Sequence, residues 1–234
     1  RPLWLIGYMF HFQQELAGLK NKLLTMASNA ESLVQEAVEA LVTRDRELAE
    51  RVRAEDEVVD RFEVEIDELA IRLLAKAPLA CDLRLITVAM KISQNLERVG
   101  DEATKIAKRA RDLSQEPPLQ LTVEIPQMTK LALEMIKSAL DAFMHQNTVA
   151  ARALIPQDKQ VDALHKQIQR QLAEEMIAHP DTITRCLHLM VIAKSLERIA
   201  DHAKNVAEEG VYLCEAEDIR HPPKTKTFVS EYPS

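Results

Sequence analysis

Apolar residues recur along this chain at alternating spacings of three and four, the rhythm of helices that bury one face. Phe12, Leu16, Leu19, Leu23, Met26, Ala30, Leu33, Ala37 and Leu41 form the first stripe and predict one long helix. Leu48, Val52, Val59, Phe62, Ile66, Leu69 and Leu73 form a second, which lapses only at Glu55 and ends before Pro78. A third runs without a gap through Leu85, Ala89, Ile92, Leu96, Val99, Ala103, Ile106, Ala110 and Leu113, then meets Pro117 and Pro118, which cannot continue a helix. Beyond them the spacing predicts helices over 122–146, 148–178 and 182–215, the last with the seam Leu189, Ile192, Leu196, Ile199, Ala203, Val206, Gly210 and Leu213. Short connections such as Thr43-Arg44-Asp45 leave antiparallel neighbours as the simplest packing.

The expected fold is all-α: two similar antiparallel three-helix bundles related by internal duplication. The first covers 1–114, a linker 115–121, the second 122–217, and an aperiodic tail, 218–234, reads as disordered. The apolar opening Leu3–Phe10 is far shorter than the roughly 20 residues of a membrane span and reads as the first turns of a helix. Duplication shows when the chain is slid by 102 residues: Leu48 falls on Ala150, Val52 on Leu154, Asp56 on Asp158, Val59-Asp60 on Val161-Asp162, and Pro78 on Pro180. At a shift of 100, Leu96-Glu97-Arg98-Val99-Gly100-Asp101 falls on Leu196-Glu197-Arg198-Ile199-Ala200-Asp201.

Composition narrows the function. With only 4 glycines and 4% aromatics, sheet content should be near zero. A net charge of -7 supplies no overall positive field for nucleic acid or anionic lipid, so neither is an expected partner. The basic cluster Lys105, Lys108, Arg109 and Arg111 ends a helix, where cations suit the dipole. Cys81, Cys186 and Cys214 have no close spacing, which fits a reducing cytoplasm and neither a disulfide framework nor a thiolate zinc site.

The candidate chemistry lies in carboxylates four residues apart, which share one face of a helix: Asp56/Asp60, Glu97/Asp101, Asp158/Asp162 and Glu197/Asp201. Composition alone produces about six acid pairs at this spacing, so placement carries the information. These four form repeat-related sets, whereas Glu63/Asp67 and Asp112/Glu116 have no counterparts in the other half. Asp60, Glu97, Asp162 and Glu197 each directly follow a seam residue, so all four pairs border the core. Two pairs from neighbouring helices offer up to about eight oxygens, a set suited to Mg, Mn, Ca or Fe. The competing reading is a solvated flank neutralised by Arg61, Arg98, Lys166 and Arg198. His165 and His202 could add nitrogen donors, although either is more often an ordinary surface histidine.

At these residues the sequence resembles the PhoU family of phosphate-uptake regulators, from about Phe12 to Tyr212. The resemblance is carried by Asp82-Leu83-Arg84, by the two repeated hexamers, and by the continuation Asp201-His202-Ala203-Lys204-Asn205-Val206-Ala207-Glu208. It implies paired three-helix bundles whose acidic motifs bind iron, manganese, zinc or magnesium, mapping onto Asp56, Asp60, Glu97, Asp101, Asp158, Asp162, Glu197 and Asp201. It further implies a cytoplasmic negative-regulatory adaptor, expected as a homodimer, that contacts a sensor histidine kinase and the ATPase subunit of a phosphate ABC transporter. The chain departs from strict repetition where Glu102 and Lys105 stand opposite His202 and Asn205, and where Pro156 precedes Asp158 and could kink its helix out of the groove.

Two other classes compete. A dinuclear carboxylate oxidase or iron store would need Glu-x-x-His pairs on two helices, and the nearest approach is a single Asp162-Ala163-Leu164-His165. A metal-free helical scaffold would dock partners through apolar surface alone. No nucleophile–base pair, Gly-rich phosphate loop or dinucleotide fingerprint is legible, so the chain is expected not to be an enzyme.

Overall fold

The computed structural model describes residues 3–77, 79–121 and 123–220, with side chains from residue 9 onward. Helices α1 (Leu3–Thr43), α2 (Arg46–Leu74) and α3 (Ala80–Ser114) form the first bundle. The second contains α4 (Ile125–Met144), α5 (Thr148–Leu154), α6 (Asp158–Ala178) and α7 (Ile183–Glu215). Among the described residues there is no strand, and the fold is the expected duplicated all-α arrangement.

Duplication extends to the turns. Asp45 and Asn147, which correspond at the 102-residue shift, each cap the following helix by accepting a backbone N–H, from Leu48 and Ala150 respectively. The residue before each cap, Arg44 or Gln146, takes a left-handed backbone, with φ of 58° and 50°. Arg44 also closes its bundle by donating to the carbonyls of Leu113 and Ser114 at the end of α3, satisfying acceptors that a helix terminus leaves open.

One prediction needs correction. The helix expected over 148–178 is broken by a 3-10 turn at Ile155–Gln157, because Pro156 lacks an N–H and its ring crowds the preceding turn. The break does not carry Asp158 out of the groove: Asp158 opens α6 and is buried.

The apolar seams fill a core that is continuous across both halves, with Phe12, Leu19, Leu23, Ile66, Ile92, Leu96, Phe143 and Ile199 among its enclosed members. α3 packs on α1 and α2, α7 packs on α4, α5 and α6, and α3 and α7 pack on each other. This central pair is antiparallel, since Arg84 reaches the carbonyl of Leu213, Lys91 reaches Glu209, and Asn95 reaches Asn205. After α7 the chain turns back through Ala216, and Arg220 pairs with Glu209 and Asp218. The expected disordered tail lies, from residue 221 on, outside the described residues.

Candidate metal-binding grooves

Each half brings its two carboxylate pairs to one helix–helix groove. In the first half, Asp56 and Asp60 on α2 face Glu97 and Asp101 on α3, and the charges of Asp60 and Asp101 act on both Asp56 and Glu97. Burial raises the Asp56 carboxyl above the usual range, against the nearby Thr104 hydroxyl, and the charges of Asp60 and Asp101 push it further. Burial likewise raises Glu97, with Asp101, Glu63 and Asp60 adding to it and Arg98 opposing. Asp60 and Asp101 are exposed, while Asp56 and Glu97 are half-buried. The groove is thus wet at its rim and partly dry at its base.

Close packing at that base depends on Gly100. A Cβ there would lie 2.9 Å from Oδ1 of Asp56 and 3.4 Å from Val59, whereas the corresponding residue of the second half is Ala200. Glycine therefore lets the Asp56 carboxylate lie against the α3 backbone. Asp56 Oδ1 and Thr104 Oγ1 are buried without a hydrogen-bond partner, as is Asp67 Oδ1 farther along α2, so protein groups leave polar atoms of these helices unmatched.

The second groove is built from Asp158, Asp162, Glu197 and Asp201 on α6 and α7, but it contains its own cations. Lys204 lies 3.2 Å from Asp158 Oδ2, and Lys194 pairs with Glu197. Burial, Asp158 and Glu197 still raise the Asp201 carboxyl, with Lys204 and Lys194 opposing. Asp158 Oδ1 remains buried and without a partner. The counter-ions are therefore Lys194 and Lys204, not the arginines and Lys166 that the solvated-flank reading names, and Arg198 turns instead to Glu102.

The two histidines separate. His165 sits in the field of Glu197 and Asp162, and burial lowers its pKa. His202 leaves the groove: its Nδ1 is 3.0 Å from Oδ1 of Asn95 on α3. Consecutive helical residues point about 100° apart, so His202 cannot share the face of Asp201.

Among the described residues, no three His, Cys, Asp or Glu side chains already meet as ligands to one point. The carboxylates share a groove and a field, and a cation would have to draw them inward. As a donor set they fit a hard ion, because each groove offers carboxylate oxygens alone or with one imidazole, including a buried oxygen without a partner.

The PhoU domain model matches residues 23–110 and again 125–210, one copy over each bundle. The chain belongs to the PhoU family. It is 39% identical to the phosphate-specific transport system accessory protein PhoU homologue of Pseudomonas aeruginosa over 90% of this chain and 88% of that protein. Its identity to the homologue of the same description from Aquifex aeolicus is 41%, over 89% of this chain and 95% of the other. Two solved structures share the fold: PhoU from Pseudomonas aeruginosa, at a TM-score of 0.84, 38% identity and coverage of 88% and 100% of the two chains, and the phosphate transport system regulatory protein PhoU from Streptococcus pneumoniae, at 0.82, 30%, 89% and 99%.

Within this PhoU chain, the carboxylate that sequence reasoning set aside is Glu63. Burial raises its pKa, and Asp67 and Asp60 raise it further, while Glu63 in turn acts on Glu97. Its counterpart at the 102-residue shift is His165, one candidate donor replacing another. The signal was present in the spacing, since Glu63 stands three residues after Asp60 and seven after Asp56 on the same face.

Proposed function

We propose that this chain regulates phosphate uptake as an accessory protein of a phosphate-specific transport system, with each half holding a hard cation in its acidic groove. The reading rests on membership of the PhoU family and on one observation above all: half-buried and buried carboxylates, Asp56 and Asp158, each keep an oxygen unmatched beside further acids. Such a groove is electrostatically unfavourable when empty and favourable around a divalent ion.

Asp56, Asp60, Glu97 and Asp101 hold the ion of the first half; Asp158, Asp162, Glu197 and Asp201 hold that of the second. Iron, manganese, zinc and magnesium all suit part of this set, and magnesium and manganese suit its oxygens best. The bound ion neutralises the groove and fixes α2 against α3 and α6 against α7. The surfaces so fixed engage the ATPase subunit of the transporter and a sensor histidine kinase in the cytoplasm, restraining starvation signalling by contact and not by catalysis. The working unit is a homodimer. Among the described residues no helix is long and apolar enough to cross a membrane.

Equilibrium dialysis against manganese tests the metal reading: wild type retains ions and the Asp101→Asn/Asp201→Asn protein loses them. Equal retention by the two proteins would contradict it. Pull-down of the ATPase subunit and of the kinase by wild type, each weakened in the double variant, tests the adaptor role.

A further inference from the structure

Between the two grooves, where α3 crosses α7, lies a cleft of about 550 Å³. All of its lining residues are charged or polar, and Asp101 and Asp201, one carboxylate from each groove, both open into it. Because α3 and α7 are antiparallel and repeat-related, Arg98 and Arg198 reach it from equivalent positions on opposite walls.

Two cations of this cleft, Lys105 and Arg198, are held by one buried acceptor. Glu102 is 4% exposed, and its Oε1 accepts from Lys105 at 3.0 Å and from Arg198 at 3.2 Å, while its Oε2 is buried without a partner. On the other side Asn95 Oδ1 accepts from Asn205 at 3.3 Å and faces His202 Nδ1 at 3.0 Å. A carbonyl oxygen only accepts, so Nδ1 carries the proton and Nε2 is left to the cleft. Arg98 makes no ion pair among the described residues. Together with Asn205 it also lines an adjoining cleft of about 340 Å³, where Lys91 and Arg220 continue along the same seam, both paired with the buried Glu209.

We infer that this seam is a binding site for a small phosphoryl oxyanion, with Arg98 and Arg198 as its two forked donors. Guanidinium presents paired N–H groups that match phosphate oxygens, and two such forks facing each other suit a tetrahedral, multiply charged ligand. The absence of any apolar or aromatic lining residue argues for an inorganic anion and against a nucleotide, whose base needs an apolar seat. The seam running on to Lys91 and Arg220 leaves room for a second phosphoryl group.

Asp101 and Asp201 oppose the anion in the metal-free protein. A cation in each groove would cancel that repulsion, so the anion should bind more tightly to the metal-loaded chain. This coupling rests on the metal reading above, whereas binding through Arg98 does not.

Calorimetric titration of the full chain, stripped of metal by chelation and at low salt, tests the site with orthophosphate, pyrophosphate, ADP and sulfate. Pyrophosphate is expected to bind most tightly and orthophosphate measurably. Arg98→Gln should weaken pyrophosphate by about tenfold or more, as for loss of a charge-assisted contact. Arg98 is exposed, so this variant should keep the wild-type melting temperature. Asp101→Asn/Asp201→Asn should tighten pyrophosphate several-fold. Dialysis of the same double variant against manganese reads the metal sites separately, so either idea can fail alone. The site is overturned if Arg98→Gln matches wild type, if sulfate binds as well as pyrophosphate, if ADP binds more tightly than pyrophosphate, or if no phosphoryl anion binds.

Discussion

Lys204 lies 3.2 Å from the Asp158 carboxylate, at the place where the first half has Thr104 beside Asp56. Each groove keeps one buried carboxylate oxygen without a partner, on Asp56 and on Asp158, but one groove contains an ammonium and the other a hydroxyl. A cation entering the second groove must displace Lys204 from Asp158 and Lys194 from Glu197. In the first groove, Arg98 is the cation that acts on Glu97 and Glu63. On the metal reading proposed above, the first groove should therefore be the tighter of the two for a divalent ion.

Exchanging that residue should move the affinity. Thr104→Lys places an ammonium beside Asp56 and is expected to lower manganese binding in the first groove by at least tenfold, about 1.4 kcal/mol. Lys204→Thr should raise it in the second. Site-resolved titration checks both, and an unchanged first site in Thr104→Lys would show that Asp56 does not help hold the ion.

Gly100→Ala should separate stability from binding. Alanine favours the interior of a helix by about 1 kcal/mol over glycine, while its Cβ would sit 2.9 Å from Asp56 Oδ1. The obstacle is the end of a side chain, so the fold accommodates the methyl and the carboxylate swings aside. The expected result is a melting temperature equal to or above wild type with weaker metal retention in the first groove. Wild-type retention in this variant would place the ion elsewhere.

The raised carboxyls give a pH dependence of definite sign. In the first groove Asp56, Glu63 and Glu97 bind protons at a pH where the unfolded chain has released them. Their contribution to stability is therefore present at low pH and lost as pH rises through the folded values. Glu97→Gln removes part of this loss, and each relieved like-charge pair is worth about 0.5 kcal/mol, or roughly 1–2 °C in a chain of this size. Metal-free Glu97→Gln should melt above metal-free wild type at pH 7.5, with the gap closing toward pH 5. Saturating manganese should reverse the order at pH 7.5.

The period of the apolar seams and the repeat made the helices, the duplication and the eight repeated acids legible, since each is a property of one helix at a time. What escaped depends on two helices at once. The Glu63/Asp67 pair has no counterpart in the other half, where a histidine stands opposite Glu63, yet Glu63 shares a face with Asp56 and Asp60. Lys204 follows Asp201 by three residues, as Thr104 follows Asp101, and only the approach of α6 to α7 reveals that its ammonium reaches Asp158. His202 neighbours Asp201 in the chain, but the helical turn between them points it across the seam to Asn95. Pro156 did break its helix, but the chain resumes at Asp158 with that side chain still buried.

The central claim is that carboxylates from adjacent helices close on a cation in each half. Anomalous diffraction from manganese-soaked crystals tests it most directly. A peak is expected between α2 and α3, at about 2.2 Å from oxygens of Asp56, Asp60, Glu97 and Asp101, and a weaker one between α6 and α7 beside Asp158 and Asp201. Full-strength data with both grooves empty of anomalous density would contradict it.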